Sequence, residues 1–253
     1  MADASNQVNL FIPCEMDLFS PLVAHSVVEV LERQGVTIHY NEEQTCCGRK
    51  FFFAGETEYA KNLGYKMMSE YEDSPYPIVI PSSGCAGYIR RYFGNLLTNM
   101  SMVNSLKTFI SNTYELCDYL VNVRGLTTVN NCFDHRVFYF KSCSARNMYG
   151  EGADAAEILL SNTKRLVLLH DPNMIECCAA NGKFATSNPE MSEKLLEIIV
   201  NKIYAMGAQF VTSTDIHCLQ HLESFIQSKG MGLEVIHVAD ILNSKEDSVK
   251  TNM

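Results

Sequence analysis

Gln44-Thr45-Cys46-Cys47-Gly48-Arg49 is the stretch from which the architecture of this chain can be read. Its adjacent cysteines return, slightly altered, as Cys177-Cys178-Ala179 behind Glu176. Each pair stands between two further cysteines at similar distances. Cys14 lies 32 residues before Cys46, and Cys85 lies 38 after Cys47. Cys143 lies 34 before Cys177, and Cys218 lies 40 after Cys178. Eight of the ten cysteines therefore form two matched quartets, offset by about 130 residues, a period too long for a solenoid and right for a duplicated domain.

The segments around the quartets alternate in type. Val8-Asn9-Leu10-Phe11-Ile12 reads as a buried strand ending at Pro13-Cys14. Ser20-Pro21 opens a helix that Gly35 closes. Strand Val36-Thr37-Ile38-His39-Tyr40 leads into the Cys-Cys-Gly loop, and a helix follows over 56–72. Strand Ile78-Val79-Ile80 leads into Pro81-Ser82-Ser83-Gly84-Cys85 and a helix through Tyr92. A longer helical stretch is expected over 101–123. The second half repeats the plan, with strands at 137–140, 165–169, 209–212 and 233–237 and helices at 153–161, 189–206, 216–227 and 239–243. The second-half entry through Gly150 and Gly152 is looser.

Alternation of strand and helix implies parallel sheets with right-handed crossovers. The expected fold class is α/β, two pseudo-symmetric Rossmann-like repeats with mainly parallel sheets. The first repeat is placed at 7–127 and the second at 135–243, with flexible ends at 1–6 and 244–253.

Composition limits the chemistry. Hydrophobic content of 47% and charged content of 19% are those of a globular protein, and a net charge of −9 offers no basic footprint for nucleic acid. MADASNQ has no basic segment followed by an apolar one, and no apolar run approaches the length of a membrane span. The expected location is cytoplasmic. There, clustered cysteines point to metal ligation or redox chemistry more than to disulfides.

Sites in open parallel sheets lie beyond the carboxyl ends of the strands. Cys14, Cys85, Cys143 and Cys218 each follow a strand closely, and the two Cys-Cys pairs follow strands after longer loops, so each quartet can converge on one edge. Cys85 and Cys218 also fall near helix N-termini, which favour the thiolate. The candidate metal ligands are thus Cys14, Cys46, Cys47 and Cys85 in one repeat and Cys143, Cys177, Cys178 and Cys218 in the other. The competing reading of a buried cysteine is a small hydrophobe, and it is the one adopted for Cys117 and Cys132. Iron–sulfur ligation fits the spacing, while zinc sites usually show short Cys-x-x-Cys knuckles that this chain lacks. Gly48, Gly84 and Gly87 permit close backbone approach. Arg49, Lys50, Arg90 and Lys183 are candidates to offset cluster charge, or else are solvated surface residues.

These residues resemble those of the CCG-domain (cysteine-rich domain) Fe–S protein family, to which a subunit of heterodisulfide reductase belongs. The likeness covers about residues 7–243. It is carried by Leu10-Phe11-Ile12-Pro13-Cys14 with Asp17-Leu18-Phe19, by Gln44-Thr45-Cys46-Cys47-Gly48, by Pro81-Ser82-Ser83-Gly84-Cys85 and by Thr113-Tyr114-Glu115-Leu116. Cys177-Cys178 behind Glu176, with Asn181-Gly182-Lys183-Phe184, adds to it. The family pattern has five cysteines per repeat, and this chain carries Ser82 and Asp215 where the extra ones would stand. The resemblance implies an iron–sulfur cluster of the 4Fe–4S type in the first repeat, and one in the second if that repeat still binds metal. The second repeat departs further. Ala179 replaces the motif glycine, Phe140-Lys141-Ser142-Cys143-Ser144 replaces a histidine-flanked motif, and His217 replaces a glycine, as an iron ligand or a helix-start histidine.

Among family members the nearest likeness is to those serving L-lactate oxidation. That implies an (Fe–S)-binding electron-transfer subunit partnered by other subunits of a lactate-oxidising complex, including a ferredoxin-like Fe–S subunit. No G-x-G-x-x-G follows a strand, and no nucleophile–base spacing can be argued, so no catalytic acid or base is assigned. The alternatives are a heterodisulfide or thiol–disulfide reductase-like subunit, or a non-enzymatic metal-binding scaffold.

Overall fold

Val8 and Leu10 face one side of the first strand and Phe11, just beyond it, faces the other, and this alternation divides the molecule into layers. The computed structural model describes residues 6–148, 155–175 and 177–245. The first half runs β1 (Gln7–Leu10), α1 (Cys14–Phe19), α2 (Pro21–Arg33), β2 (Thr37–Tyr40), α3 (Arg49–Phe53), α4 (Thr57–Tyr71), β3 (Ile78–Ile80), α5 (Ser83–Leu96), α6 (Val103–Ser111), β4 (Thr113–Glu115) and α7 (Leu116–Asp118). The second half runs β5 (Arg136–Tyr139), α8 (Ala155–Ser161), β6 (Val167–Leu169), α9 (Phe184–Ser187), α10 (Pro189–Ala205), β7 (Phe210–Ser213), α11 (Ile216–Ser228), β8 (Glu234–His237) and α12 (Val238–Asn243). The ends 1–5 and 246–253, the entry through Gly150 and Gly152, and Glu176 lie outside the described residues.

Each half builds one four-stranded, all-parallel sheet, in the orders β2-β1-β3-β4 and β6-β5-β7-β8. Leu10 sits beside Tyr40 on one flank and Val79 on the other, and Phe138 sits beside Leu169 and Val211. The α/β class with two repeated units is therefore observed.

The two sheets share a central hydrophobic layer. Val8, Leu10 and Val79 enter it from the first sheet and Val137 and Tyr139 from the second. Between them lie Val27, Val30 and Leu31 of α2, Leu159 and Leu160 of α8, and Ile241 and Leu242 of α12. The outer faces have separate cores. Phe11, Ile78 and Ile80 pack on Met67, Tyr88, Ile89 and Phe93, while Phe138, Phe140 and Val211 pack on Ile199, Val200, Ile203 and Leu222. Burying each such side chain stabilises by about 1.5–3 kcal/mol. The last helix of the second half lies on the first half. Arg33 of α2 donates to the carbonyl of Leu242 at 2.6 Å, satisfying a C-terminal carbonyl of α12.

One element departs from the sequence expectation. The stretch 101–123 is not one helix. It is a 3-10 turn, α6, the strand β4, α7 and a π-helical turn at Tyr119–Val123. Thr113, Tyr114 and Glu115 pair with Ile78, Val79 and Ile80, completing the sheet edge. The Glu115 carboxylate then caps α7, accepting the backbone N–H groups of Cys117 at 2.7 Å and Asp118 at 3.3 Å. Three residues are too few for a strand period to show against the flanking helical pattern. Among the described residues no helix is long and apolar enough to cross a membrane.

Candidate metal centre

In both sheets the winding reverses between the first and third strands of the repeat, β1 and β3 in one and β5 and β7 in the other, which opens a crevice at the carboxyl edge. The cysteines stand at these crevices. Cys14 heads α1 just past β1, Cys46 and Cys47 lie in the loop between β2 and α3, and Cys85 is in the first turn of α5. Their sulfurs form a chain. Cys14 Sγ is 3.5 Å from Cys46 Sγ, and Cys47 Sγ is 3.3 Å from Cys85 Sγ. All ten cysteines are free thiols.

Two residues of the motif hold that loop. Gly48 has φ of 90°, a left-handed conformation, and a Cβ there would meet the Ala60 carbonyl oxygen at 3.0 Å. Its N–H points at Cys46 Sγ at 3.4 Å. Gln44 ties the loop to the end of β1, because its side-chain amide accepts from Ile12 N–H at 3.2 Å and donates to Ile12 C=O at 3.0 Å. Sequence reasoning assigned Gln44 no role. The repeat gave no signal for it, since the second repeat has Ile175 at that position.

The second quartet assembles as well. Cys178 Sγ and Cys218 Sγ are 2.8 Å apart, Cys143 is hydrogen-bonded to Cys177, and Ala179 N–H points at Cys177 Sγ at 3.4 Å. Ala179 keeps the left-handed backbone of its counterpart Gly48, with φ of 60°. Ser192 of α10 reaches the Ala179 carbonyl at 3.4 Å and His221 at 3.0 Å, which braces this strained turn. Cys117 and Cys132 are buried apart from both quartets, Cys117 in the central layer, as expected for small hydrophobes.

The sulfurs share protons along each chain. The bond Cys14 donates to Cys46, together with burial, raises its own pKa. For Cys46 the bond from Cys14 acts downward, but its bond to Cys47 and burial push it up to about 11. Cys177 accepts from Cys143 and falls to about 6. Among the described residues no three Cys, His, Asp or Glu side chains surround one point as a single ion requires. Four thiols along one crevice would offer one sulfur to each metal atom of a larger group, were one bound. Buried polar atoms support that fit. Arg49 Nε and Tyr88 Oη, both without a hydrogen-bond partner, border the first quartet, Tyr88 facing Cys46, Cys47 and Cys85. A buried donor left unmade is costly, and an anionic sulfur group would satisfy both.

Charged side chains lie between the quartets. Arg49 is 4% exposed, 3.7 Å from Asp215 Oδ2, and donates to Ser144 Oγ at 3.3 Å. His217 Nδ1 is 2.7 Å from Glu15 Oε1 and its Nε2 is 2.9 Å from the Ala180 carbonyl. Both partners are acceptors, so both ring nitrogens carry protons and neither is left to ligate a metal. Burial works against ionised Glu15, but His217 and Lys50 outweigh it and hold its pKa at about 2. Burial lowers the His217 pKa, and Glu15 raises it more. Of the other cations named from sequence, Lys50 pairs with Glu15 at 2.7 Å, Lys183 pairs with Glu56 at 3.8 Å, and Arg90 donates to the Thr113 carbonyl on β4. Of these four, Arg49 is the one buried among the sulfurs, while Lys50 stands exposed beside Cys14.

A groove of about 560 Å³ opens beside Cys14 and Cys46, lined by Leu18, Phe19, Phe51, Lys50 and Lys183. Cys47 and Cys85 are buried behind it. A second cavity of about 320 Å³, lined by Tyr71, Tyr76, Ile78 and Asn112, lies at the opposite edge of the sheet and contains no cysteine.

This geometry coincides with a family model for the cysteine-rich domain CCG, which matches residues 8–90 and again 137–223. The chain belongs to the CCG cysteine-rich domain family. The two matched segments contain all eight quartet cysteines and stop short of β4 and β8, so the family signature covers the crevice and not the strand that closes each sheet. The chain is 33% identical to lactate utilization protein A of Bacillus cytotoxicus over 239 residues, covering 94% of this chain and 99% of the relative. It is 32% identical to a protein of the same name from Bacillus cereus, with the same coverage. Among solved structures, a hypothetical protein from Helicobacter pylori shares the fold with a TM-score of 0.61 at 12% identity. The match covers 94% of this chain, which spans about half of that one (48%).

Proposed function

We propose that this chain is an iron–sulfur electron-transfer subunit of an L-lactate oxidation system, passing electrons released as lactate becomes pyruvate. The observation that carries the reading is the convergence of four sulfurs at the carboxyl edge of each sheet, eight in all. The relatives named lactate utilization protein A support the pathway.

Cys14, Cys46, Cys47 and Cys85 would hold one cluster, and Cys143, Cys177, Cys178 and Cys218 a second. Four thiolates suit a 4Fe–4S group, whose contribution when bound is reversible one-electron transfer. The chain's own residues shape that property. Gly48 and Ala179 present backbone N–H groups to Cys46 and Cys177 sulfurs, which raises a reduction potential by stabilising added negative charge. Burial of Cys47, Cys85, Cys178 and Cys218 keeps water from half of each site.

The partly exposed Cys14 and Cys46 face the apolar groove, the natural contact for a partner such as a ferredoxin-like Fe–S subunit. A heterodisulfide-type reaction is less well supported. The positions of the extra family cysteines hold Ser82 and the buried, ion-paired Asp215.

Iron, acid-labile sulfide and zinc counted in one anaerobically purified sample test the reading. About eight irons per chain are expected. Zinc alone, or no metal after anaerobic reconstitution, sinks it and leaves a scaffold.

A further inference from the structure

The two repeats are related position by position, and this exposes an asymmetry. Cys47-Gly48-Arg49 corresponds to Cys178-Ala179-Ala180, Cys14-Glu15 to Cys143-Ser144, and Ser82-Ser83-Gly84-Cys85 to Asp215-Ile216-His217-Cys218. The first repeat therefore carries Arg49 where the second has Ala180. The second carries Asp215 where the first has Ser82. Glu15 faces a counterpart Ser144, and Gly84 a counterpart His217.

Each charged residue meets its partner across the repeats. Arg49 reaches Asp215 and Ser144 of the second repeat, and Glu15 reaches His217 of the second repeat. Space for the first crossing exists because Gly84 has no side chain. A Cβ there would lie 2.8 Å from both Arg49 Nη1 and Asp215 Oδ1. At the matching place on the other side the small residue is Ala180, and His217 fills the gap.

We propose that Arg49 is the shared counter-charge of both cysteine sites, making them one electrostatic unit, and that the second repeat, which has Ala180 at the position equivalent to Arg49, draws on the cation of the first. The inference rests on the electron-transfer reading above. Arg49 faces the sulfurs of Cys47 and Cys85 in one site and of Cys218 in the other. Its Nη2 is engaged by Ser144 and Asp215, while Nε is buried with no protein partner, so donor capacity remains toward a sulfur ligand. A cluster with four thiolates carries about −2 when oxidised, and two of them bring about −4 to the buried edges of the sheets. In that low-dielectric setting a cation between them acts on both, because buried charges are little screened. Asp215 tempers the same cation, so removing either partner shifts both sites, in opposite directions. Arg49 is a positioning residue here, since it acts on electrons held elsewhere and makes no contact with a substrate.

The test uses the full chain, anaerobically reconstituted, as wild type, Arg49→Gln and Asp215→Asn. Iron is counted, and each cluster signal is followed by electron paramagnetic resonance during a redox titration. Cys85→Ala and Cys218→Ala variants assign the two signals. Arg49→Gln is expected to move both midpoint potentials to more negative values, or to lower iron at both sites together. Asp215→Asn keeps the cap that Oδ1 gives to His217 N–H, and is expected to move both potentials to more positive values. If Arg49→Gln leaves an orphaned Asp215 charge and does not fold, the Asp215→Asn titration decides. A shift, or iron loss, confined to the first-repeat signal overturns the shared counter-charge while leaving the electron-transfer reading intact. Wild type without iron removes that reading, and the inference with it.

Discussion

Replacing Gly48 by alanine and Ala179 by glycine applies opposite changes at equivalent turns, and the two should shift stability in opposite directions. At Gly48, φ of 90° costs an L-residue about 1–2 kcal/mol. The alanine recovers about 0.4–1 kcal/mol by restricting the unfolded chain. Its Cβ would also press on backbone, 3.0 Å from Ala60 O and 3.2 Å from Ala60 Cα, and backbone of α4 cannot rotate away. Overpacking of this kind costs about 1–3 kcal/mol, so Gly48→Ala should destabilise by roughly 2–3 kcal/mol in all. At Ala179 the strain is already present, with φ of 60°. Glycine releases about 1–2 kcal/mol of it and loses about 0.4–1 to chain entropy, a net gain of up to about 1.6 kcal/mol. Urea unfolding of the metal-free protein, comparing midpoints at unchanged slope, reads both. Ala179→Gly should raise the midpoint and Gly48→Ala should lower it. A lowered midpoint for Ala179→Gly would show that the second turn has adapted to alanine, and would refute the strain argument.

Three further outcomes follow from other parts of the fold. Burial raises Glu115 from 4.5 to about 8, despite the N–H groups of Cys117 and Asp118, and burial lowers His237 from 6.5 to about 4. The raised carboxyl contributes stability fully present below pH 4.5 and lost as pH climbs to about 8, while the depressed imidazole contributes stability present above pH 6.5 and lost as pH falls to about 4. Urea midpoints measured from pH 5 to 9 should therefore show a component that declines up to about pH 8 and levels off beyond it, which Glu115→Gln removes, and an unchanged slope in that variant would contradict the assignment. Gln44→Ala removes two hydrogen bonds to Ile12, about 1 kcal/mol each, and should loosen the first Cys-Cys loop, read as faster iron loss to a chelator from the first site only. Cys14→Ala should cost about four of eight irons, whereas Cys117→Ala should keep all iron and lower only the unfolding midpoint.

Much of the fold was legible because its signals are local and repeated. A buried strand such as Ile78-Val79-Ile80 is a short apolar run bounded by turn residues, and the order of such runs with helices between them implies parallel pairing. The doubled cysteine spacing located both crevices, since each cysteine follows the carboxyl end of a strand whatever the packing around it. β4 escaped detection because nothing in Thr113-Tyr114-Glu115 by itself distinguishes three extended residues from the start of a helix. The vacant edge of β3 decides it.

The site divides in the same way. Sequence alone determined which cysteines gather, that Gly48 and Ala179 occupy equivalent turns, and that Cys117 and Cys132 stand apart. Only the tertiary structure decided what lies between the quartets. Arg49 and Asp215 are 166 positions apart, and Glu15 and His217 are 202 apart. Neither separation corresponds to any helical or strand period. Each pair exists because two similar repeats pack across a shared core, which brings their carboxyl edges together and lets a missing side chain in one repeat be filled by a charged one from the other.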